Sequence, residues 1–254
     1  YKIRERYNLE ARVPRWKDRL ILKPKKVAVE TPAVEEPAPD ANTLLYITDK
    51  CLRSRDFINV IVAGKQHQPQ WLDMDAAEQH CARGMGAWNW AGADDGGEPD
   101  VVMACAGDVP TTETVAAADM LRRAMPGLKL RVVNVVNLMA LAHPQDHPDG
   151  VDPSTFAETF GTKAPIVFAF HGYRSLIRNL MFDRPCHGRL RIFGYREEGT
   201  TTTPFDMAVL NGIDRFSLAM QALDSIGAAS PGSVPSGRTP ASRKPAAVSR
   251  SPMR

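Results

Sequence analysis

Three stretches carry side chains whose type and position could act on a ligand. Gly64-Lys65-Gln66 follows an apolar run, so the Lys65 ammonium would emerge at a sheet edge, either as a phosphate contact or as solvated surface. Gly107-Asp108-Val109-Pro110-Thr111-Thr112-Glu113 sets backbone N–H groups and hydroxyls at a helix start, where an anion can sit. The same residues fit plain capping by Asp108 or Thr111, and the Asp108 carboxylate would repel a phosphate. Neither a G-x-G-x-x-G nor a Walker pattern is present. Glu197-Glu198-Gly199, with the four threonines that follow, could look rich in nucleophiles, but threonine needs a positioned base and none is signalled.

The six histidines add little chemistry. His143 and His147 have the spacing of a helical metal pair, but Pro144 and Pro148 forbid that helix. His171 follows a strand and could transfer a proton, or could hydrogen-bond a neighbouring loop. Trp71, Trp88 and Trp90 read as core or interface anchors. Cys51, Cys81, Cys105 and Cys186 are scattered without a C-x-x-C pair, as in a reduced cytosolic protein. No catalytic constellation and no metal site is visible.

The elements that must position these residues centre on Asp100 to Val136. An apolar run, a Gly-Asp turn, a helical stretch closed by Pro126-Gly127 and a second apolar run make a β-loop-α-β unit, which pairs its strands in parallel. Before it, Asn42 can cap a helix over Leu44 to Leu52, Phe57 to Ala63 is a strand, and Asp73 or Asp75 starts a helix through Arg83. After it come a turn over Asn137 to Leu141, a Pro/Asp/His loop, and a helix over Phe156 to Phe160 capped by Ser154. A strand over Pro165 to Phe170, a helix over Tyr173 to Phe182 and a strand over Leu190 to Phe193 follow. Thr203, Pro204 and Asp206 start a last helix whose stripe Val209, Ile213, Phe216, Met220 and Leu223 would face the sheet, with Gly227 ending it.

This alternation over 42–226 predicts an α/β fold: an open, doubly wound, mostly parallel sheet with helices on both faces. Ligands in such sheets bind beyond the carboxyl ends of the strands. Residues 1–39 read as a basic arm and a Pro-rich linker, 40–226 as the α/β domain, and 227–254 as a disordered basic tail. The net charge of +3 is unevenly spread: residues 1–30 carry a surplus of six positive charges and 227–254 of five, leaving an acidic body. Nucleic acid is therefore not expected as a partner except through the basic ends. No apolar run approaches the ~20 residues of a membrane helix.

Long motifs also carry a resemblance. Asp40-Ala-Asn-Thr-Leu-Leu, Asn59-Val-Ile-Val-Ala-Gly-Lys-Gln, Gly97-Glu-Pro-Asp-Val-Val-Met-Ala-Cys-Ala-Gly-Asp-Val-Pro-Thr, Arg131-Val-Val-Asn-Val-Val, Phe168-Ala-Phe-His-Gly-Tyr and Glu197-Glu-Gly-Thr-Thr-Thr-Thr-Pro-Phe-Asp-Met resemble the C-terminal domain of xylulose-5-phosphate/fructose-6-phosphate phosphoketolase. The resemblance runs from about 40 to 226. It implies the fold of a transketolase C-terminal domain and a part in a thiamine-diphosphate enzyme of the cytoplasm. Such an enzyme converts a ketose phosphate and inorganic phosphate to acetyl phosphate, an aldose phosphate and water. It further implies that Lys65 helps hold the substrate phosphate, with Gln66 and His171 as candidate loop contacts, and that the enzyme is a homodimer. The domains that bind thiamine diphosphate and Mg2+ have no counterpart here, so neither is expected on this chain alone. The alternatives are a non-enzymatic scaffold of a larger assembly that reuses the domain, and a small-anion module built on the Gly107 loop.

Overall fold

The computed structural model describes residues 33–55, 57–64, 66–196 and 202–229. Its first half contains β1 (Ala33–Pro37), α1 (Ala41–Arg53), β2 (Ile58–Val62), α2 (Met74–Arg83), β3 (Met85–Ala87), β4 (Val101–Ala106) and α3 (Asp108–Ala124). Its second half contains β5 (Leu130–Val135), α4 (Pro153–Phe160), β6 (Ile166–Tyr173), α5 (Arg174–Leu180), β7 (Leu190–Tyr195), α6 (Pro204–Asn211) and α7 (Arg215–Ala229).

The apolar runs of the central unit become the centre of a five-stranded sheet ordered β3-β5-β4-β6-β7. β4 pairs in parallel with both β5 and β6, and β6 with β7. All six residues of β4 and all six of β5 are buried, Arg131 and Asn134 of β5 included, as strands covered on both sides require. Alternate side chains supply two cores. Val102, Ala104, Phe168 and Phe170 pack under α4 and α5, while Met103, Val132, Val167 and Ala169 pack under α3 and α7. The expected doubly wound α/β architecture is therefore present.

Several local expectations are corrected. The strand after α1 does not enter the main sheet. β2 pairs in parallel with β1, inside the stretch read as a linker, to give a separate two-stranded sheet. Val34 and Glu36 of β1 are buried, and the Glu36 carboxylate accepts from Lys50 Nζ at 2.7 Å, so a charged residue in a Pro-rich segment still forms a paired strand. A small cluster of Ala38, Ile47, Cys81 and Val136 joins this unit to the main body. Asp40, rather than Asn42, caps α1: its Oδ1 accepts from Thr43 N at 2.9 Å while the Thr43 hydroxyl accepts from Asp40 N. Asn42 instead donates to Leu72 O. Asp152, not Ser154, caps α4.

β3 is an antiparallel edge strand on β5, and its three residues are too few to show a period in the sequence. The long last helix is two helices. Gly212 adopts φ 67° and ends α6, and Asp214 restarts the chain as α7 by accepting from Phe216 N and Ser217 N. The break rotates the stripe outward: Leu218, Ala219 and Ala222 face the core, whereas Phe216, Met220 and Leu223 are exposed. Gly227 lies inside α7. The basic arm, the tail beyond Ala229 and the Glu197 to Thr201 loop lie outside the described residues. No helix among the described residues is long and apolar enough to cross a membrane.

Candidate functional site

The carboxyl ends of β2, β4, β6 and β7 converge on one side of the molecule, and Asp108 lies where they meet. Two crevices share it as a wall. One, of about 220 Å³, is lined by Ala38, Asp40, Gly64, Gln66, His67 and Gln68. The other, of about 240 Å³, is lined by Pro110, His171, Tyr195, Met207, Asn211 and Ile213. Gln66 and His171 are thus brought to the ligand edge but into different crevices. Lys65 lies outside the described residues, between Gly64 and Gln66 of the first crevice.

The turn that carries Asp108 is tightly specified. Gly107 has φ 103°, a conformation open to glycine, and a β-carbon there would stand 2.6 Å from His171 Nδ1. Behind the turn runs a buried chain of hydrogen bonds. Asn134 Nδ2 donates to Thr111 Oγ1 at 3.0 Å, which leaves Asn134 Oδ1 to accept from His80 Nε2 at 2.8 Å, and the Thr111 hydroxyl donates to Gly107 O. Burial lowers the His80 imidazole to about 4 against the opposing pull of the Asn134 bond, so it stays neutral. The unfolded imidazole titrates near 6.5, so its stabilising contribution is complete above that pH and is lost as pH falls toward 4. Urea unfolding should accordingly show a lower midpoint at pH 5 than at pH 7, and His80→Gln should flatten that difference.

The anion-cradle expectation does not survive this geometry. Val109 N is taken by the Asp108 carboxylate at 2.7 Å, Pro110 has no N–H, and Thr111 N bonds Gly107 O at 3.1 Å. The first turn of α3 therefore offers few free donors and places a negative charge beside them. His171 Nδ1 lies 3.4 Å from Ala106 O, and Nε2 lies 3.8 Å from Glu35 Oε1, a pair that is ionic only when the ring is protonated. Burial lowers the His171 pKa and raises that of Glu35. His143 and His147 each accept a backbone N–H within their loop, from Gln145 and Asp149. Trp90 stacks on Trp88 at 5.3 Å and on Trp71 at 5.8 Å, Trp71 and Trp88 are tilted to each other at 6.5 Å, and the three lie beside His80 as anchors of the α2–β3 corner.

Residues 65–238 match the family model described as the XFP C-terminal domain. The chain is 61% identical over 188 residues to the probable phosphoketolase 2 of Nostoc sp. and 60% identical to the probable phosphoketolase of Nitrosomonas europaea, covering 74% of this chain and 24% of each relative. The chain belongs to the phosphoketolase C-terminal domain family. It spans about a quarter of the length of these relatives. In architecture the domain is similar to transketolase from Pichia stipitis in complex with sedoheptulose 7-phosphate, at TM-score 0.57 and 15% identity, over 76% of this chain and 25% of that one. A split-gene transketolase described as an inactive beta4 tetramer matches at TM-score 0.55 and 15% identity, over 76% of this chain and 58% of that one. These likenesses show the shared fold.

The family implies thiamine diphosphate and a divalent metal. The described residues do not fit them: no group of three or more His, Cys, Asp or Glu side chains is placed to hold a metal, and the start of α3 meets a diphosphate with a carboxylate. Among the described residues, what this edge of the domain can offer is polar, from Gln66, His67 and Gln68, together with the carboxylates of Asp40 and Asp108. The contact of Asp108 with Gly64 could not be read from sequence, because it depends on β2 leaving the main sheet.

Proposed function

We propose that the chain acts as the C-terminal portion of a thiamine-diphosphate-dependent, Mg2+-requiring phosphoketolase of the cytoplasm. In this reading the whole enzyme converts a ketose phosphate and inorganic phosphate to acetyl phosphate, an aldose phosphate and water. The cofactor belongs to the part of the enzyme that this chain does not span, and this domain contributes Lys65 to the substrate phosphate and a surface to subunit contacts. The observation that carries the reading is identity of about 60% to phosphoketolases over 188 residues, together with the Gly64 turn at the ligand edge of the fold. Purified alone with fructose 6-phosphate, phosphate, thiamine diphosphate and Mg2+, the chain should form no acetyl phosphate. Adding a relative truncated of its C-terminal quarter should restore formation, and failure of two folded, mutually binding pieces to do so would contradict the proposal.

The outward stripe of α6 and α7 supports the homodimer part of the reading. Phe205, Val209, Phe216, Met220 and Leu223 are all more than 40% exposed, an apolar surface of the kind that marks an interaction face. The double change Phe216→Asp, Met220→Asp should leave the unfolding midpoint nearly unchanged and shift the sedimentation profile of the chain to monomer.

A further inference from the structure

The unit β1–α1–β2 is only half covered. A parallel sheet is stable when both of its faces are packed, and two strands alone are too few to sustain one. Here α1 covers one face: Val34 and Glu36 of β1 are buried, and Ile61, the register partner of Glu36, packs against the cluster that holds Ile47 and Cys81. Alternate residues of β2 point the other way, and there Ile58 is 56% and Val60 45% exposed. β2 has no second strand beside it among the described residues. Its sequence, Ile-Asn-Val-Ile-Val, carries none of the lysines or prolines that keep a free edge from pairing.

The limits of similarity divide the chain at the same place. The family model begins at residue 65, after β2 has ended, yet identity to the Nostoc phosphoketolase extends over 188 residues, more than 65–238 contains. The motifs from Asp40 to Gln66 place α1 and β2 in that excess. We propose that α1 and β2 belong to the sheet of the domain that precedes this one in phosphoketolases, and that the open edge of β2 takes an apolar strand from that domain. The inference rests on the reading of the chain as the C-terminal portion of such an enzyme. In strand addition the main chain supplies the hydrogen bonds and alternate side chains the packing, which matches a free edge flanked by Ile58 and Val60. The division between domains then falls near Gly64. The first crevice, lined by Asp40 and Leu44 on one side and by Gln66 to Gln68 on the other, lies across that division.

Two truncations of the Nostoc phosphoketolase, checked for folding by circular dichroism, test this by calorimetric titration against the full chain. One stops before the match to Asp40 and lacks a counterpart of α1 and β2; the other stops before the match to residue 65 and keeps it. The shorter piece should bind, and the longer one, whose edge is already filled, should bind at least about 30-fold more weakly. Ile58→Lys with Val60→Lys, both at exposed positions, should leave the unfolding midpoint of the chain unchanged and weaken binding of the shorter piece by about 30-fold. Amide exchange of β2 should slow in the complex. Equal binding of the two pieces, or binding of the shorter one that ignores both substitutions and leaves β2 exchanging as in the free chain, overturns the inference while the reading of the chain stands. β2 amides already protected in the free chain would mean an edge filled by this chain or by a second copy, and would overturn it equally. If neither folded piece binds, the reading fails and the inference with it.

Discussion

Replacing Arg184 by Ala is expected to destabilise the domain by about 3–5 kcal/mol, enough to remove much of the stability of an ordinary fold. Arg184 is only 2% exposed and has no carboxylate within ion-pair distance among the described residues. Its Nε donates to Leu141 O at 2.9 Å, its Nη2 to Val151 O at 2.7 Å and also to Ala142 O, and its guanidinium lies 4.6 Å above the Phe156 ring. The side chain therefore ties the 141–151 loop to the core beneath α4. Alanine leaves three buried carbonyls short of a donor and a cavity against Phe156, and each loss carries its own penalty. Arg184→Lys should recover only part, because an ammonium cannot reproduce the planar fork. Arg53→Ala is the contrast: its pair with Asp49 is exposed on both sides, and the change should leave stability nearly unaltered. Urea unfolding of the three variants at pH 7 reads these differences.

The second large effect concerns function. In an enzyme completed with the remaining domains, Lys65→Ala should raise the KM for fructose 6-phosphate by about 30- to 100-fold, the range expected for losing a charge-assisted contact to a phosphate. If the ammonium binds substrate and transition state alike, kcat should change far less than KM. Steady-state kinetics separate the two. An unchanged KM would remove Lys65 from the phosphate site.

How far the fold could be read in advance depended on whether burial and periodicity agreed. Asp100 to Val136 was legible because β4 is apolar throughout, β5 is apolar but for Arg131 and Asn134, both are fully buried, and the helix between them ends near Pro126-Gly127. β1 was hidden because its residues include Pro37 and two glutamates, and Glu36 is buried only by pairing with Lys50 and Cys51. The stripe Val209 to Leu223 was misleading, because the turn at Gly212 splits the helix and shifts its phase, and a period cannot say which face the following helix presents. At the site, the carboxyl-end rule pointed to the strand ends beyond which Gln66 and His171 lie. It could not separate them into two crevices, because the wall between them is Asp108, held there by the fit of Gly107 on His171 and of Gly64 on Asp108. Sequence marked Asp108 as an objection to phosphate binding, and the structure sets that same carboxylate against Gly64.

A covalent chimera addresses the central claim most directly. Residues 40–226 replace the matching quarter of the Nostoc phosphoketolase, and acetyl phosphate formed from fructose 6-phosphate is measured against the parent enzyme. The account predicts activity comparable to the parent, with a severe loss of substrate affinity when the chimera carries Lys65→Ala. A folded chimera without activity, or one whose kinetics ignore Lys65, would contradict it.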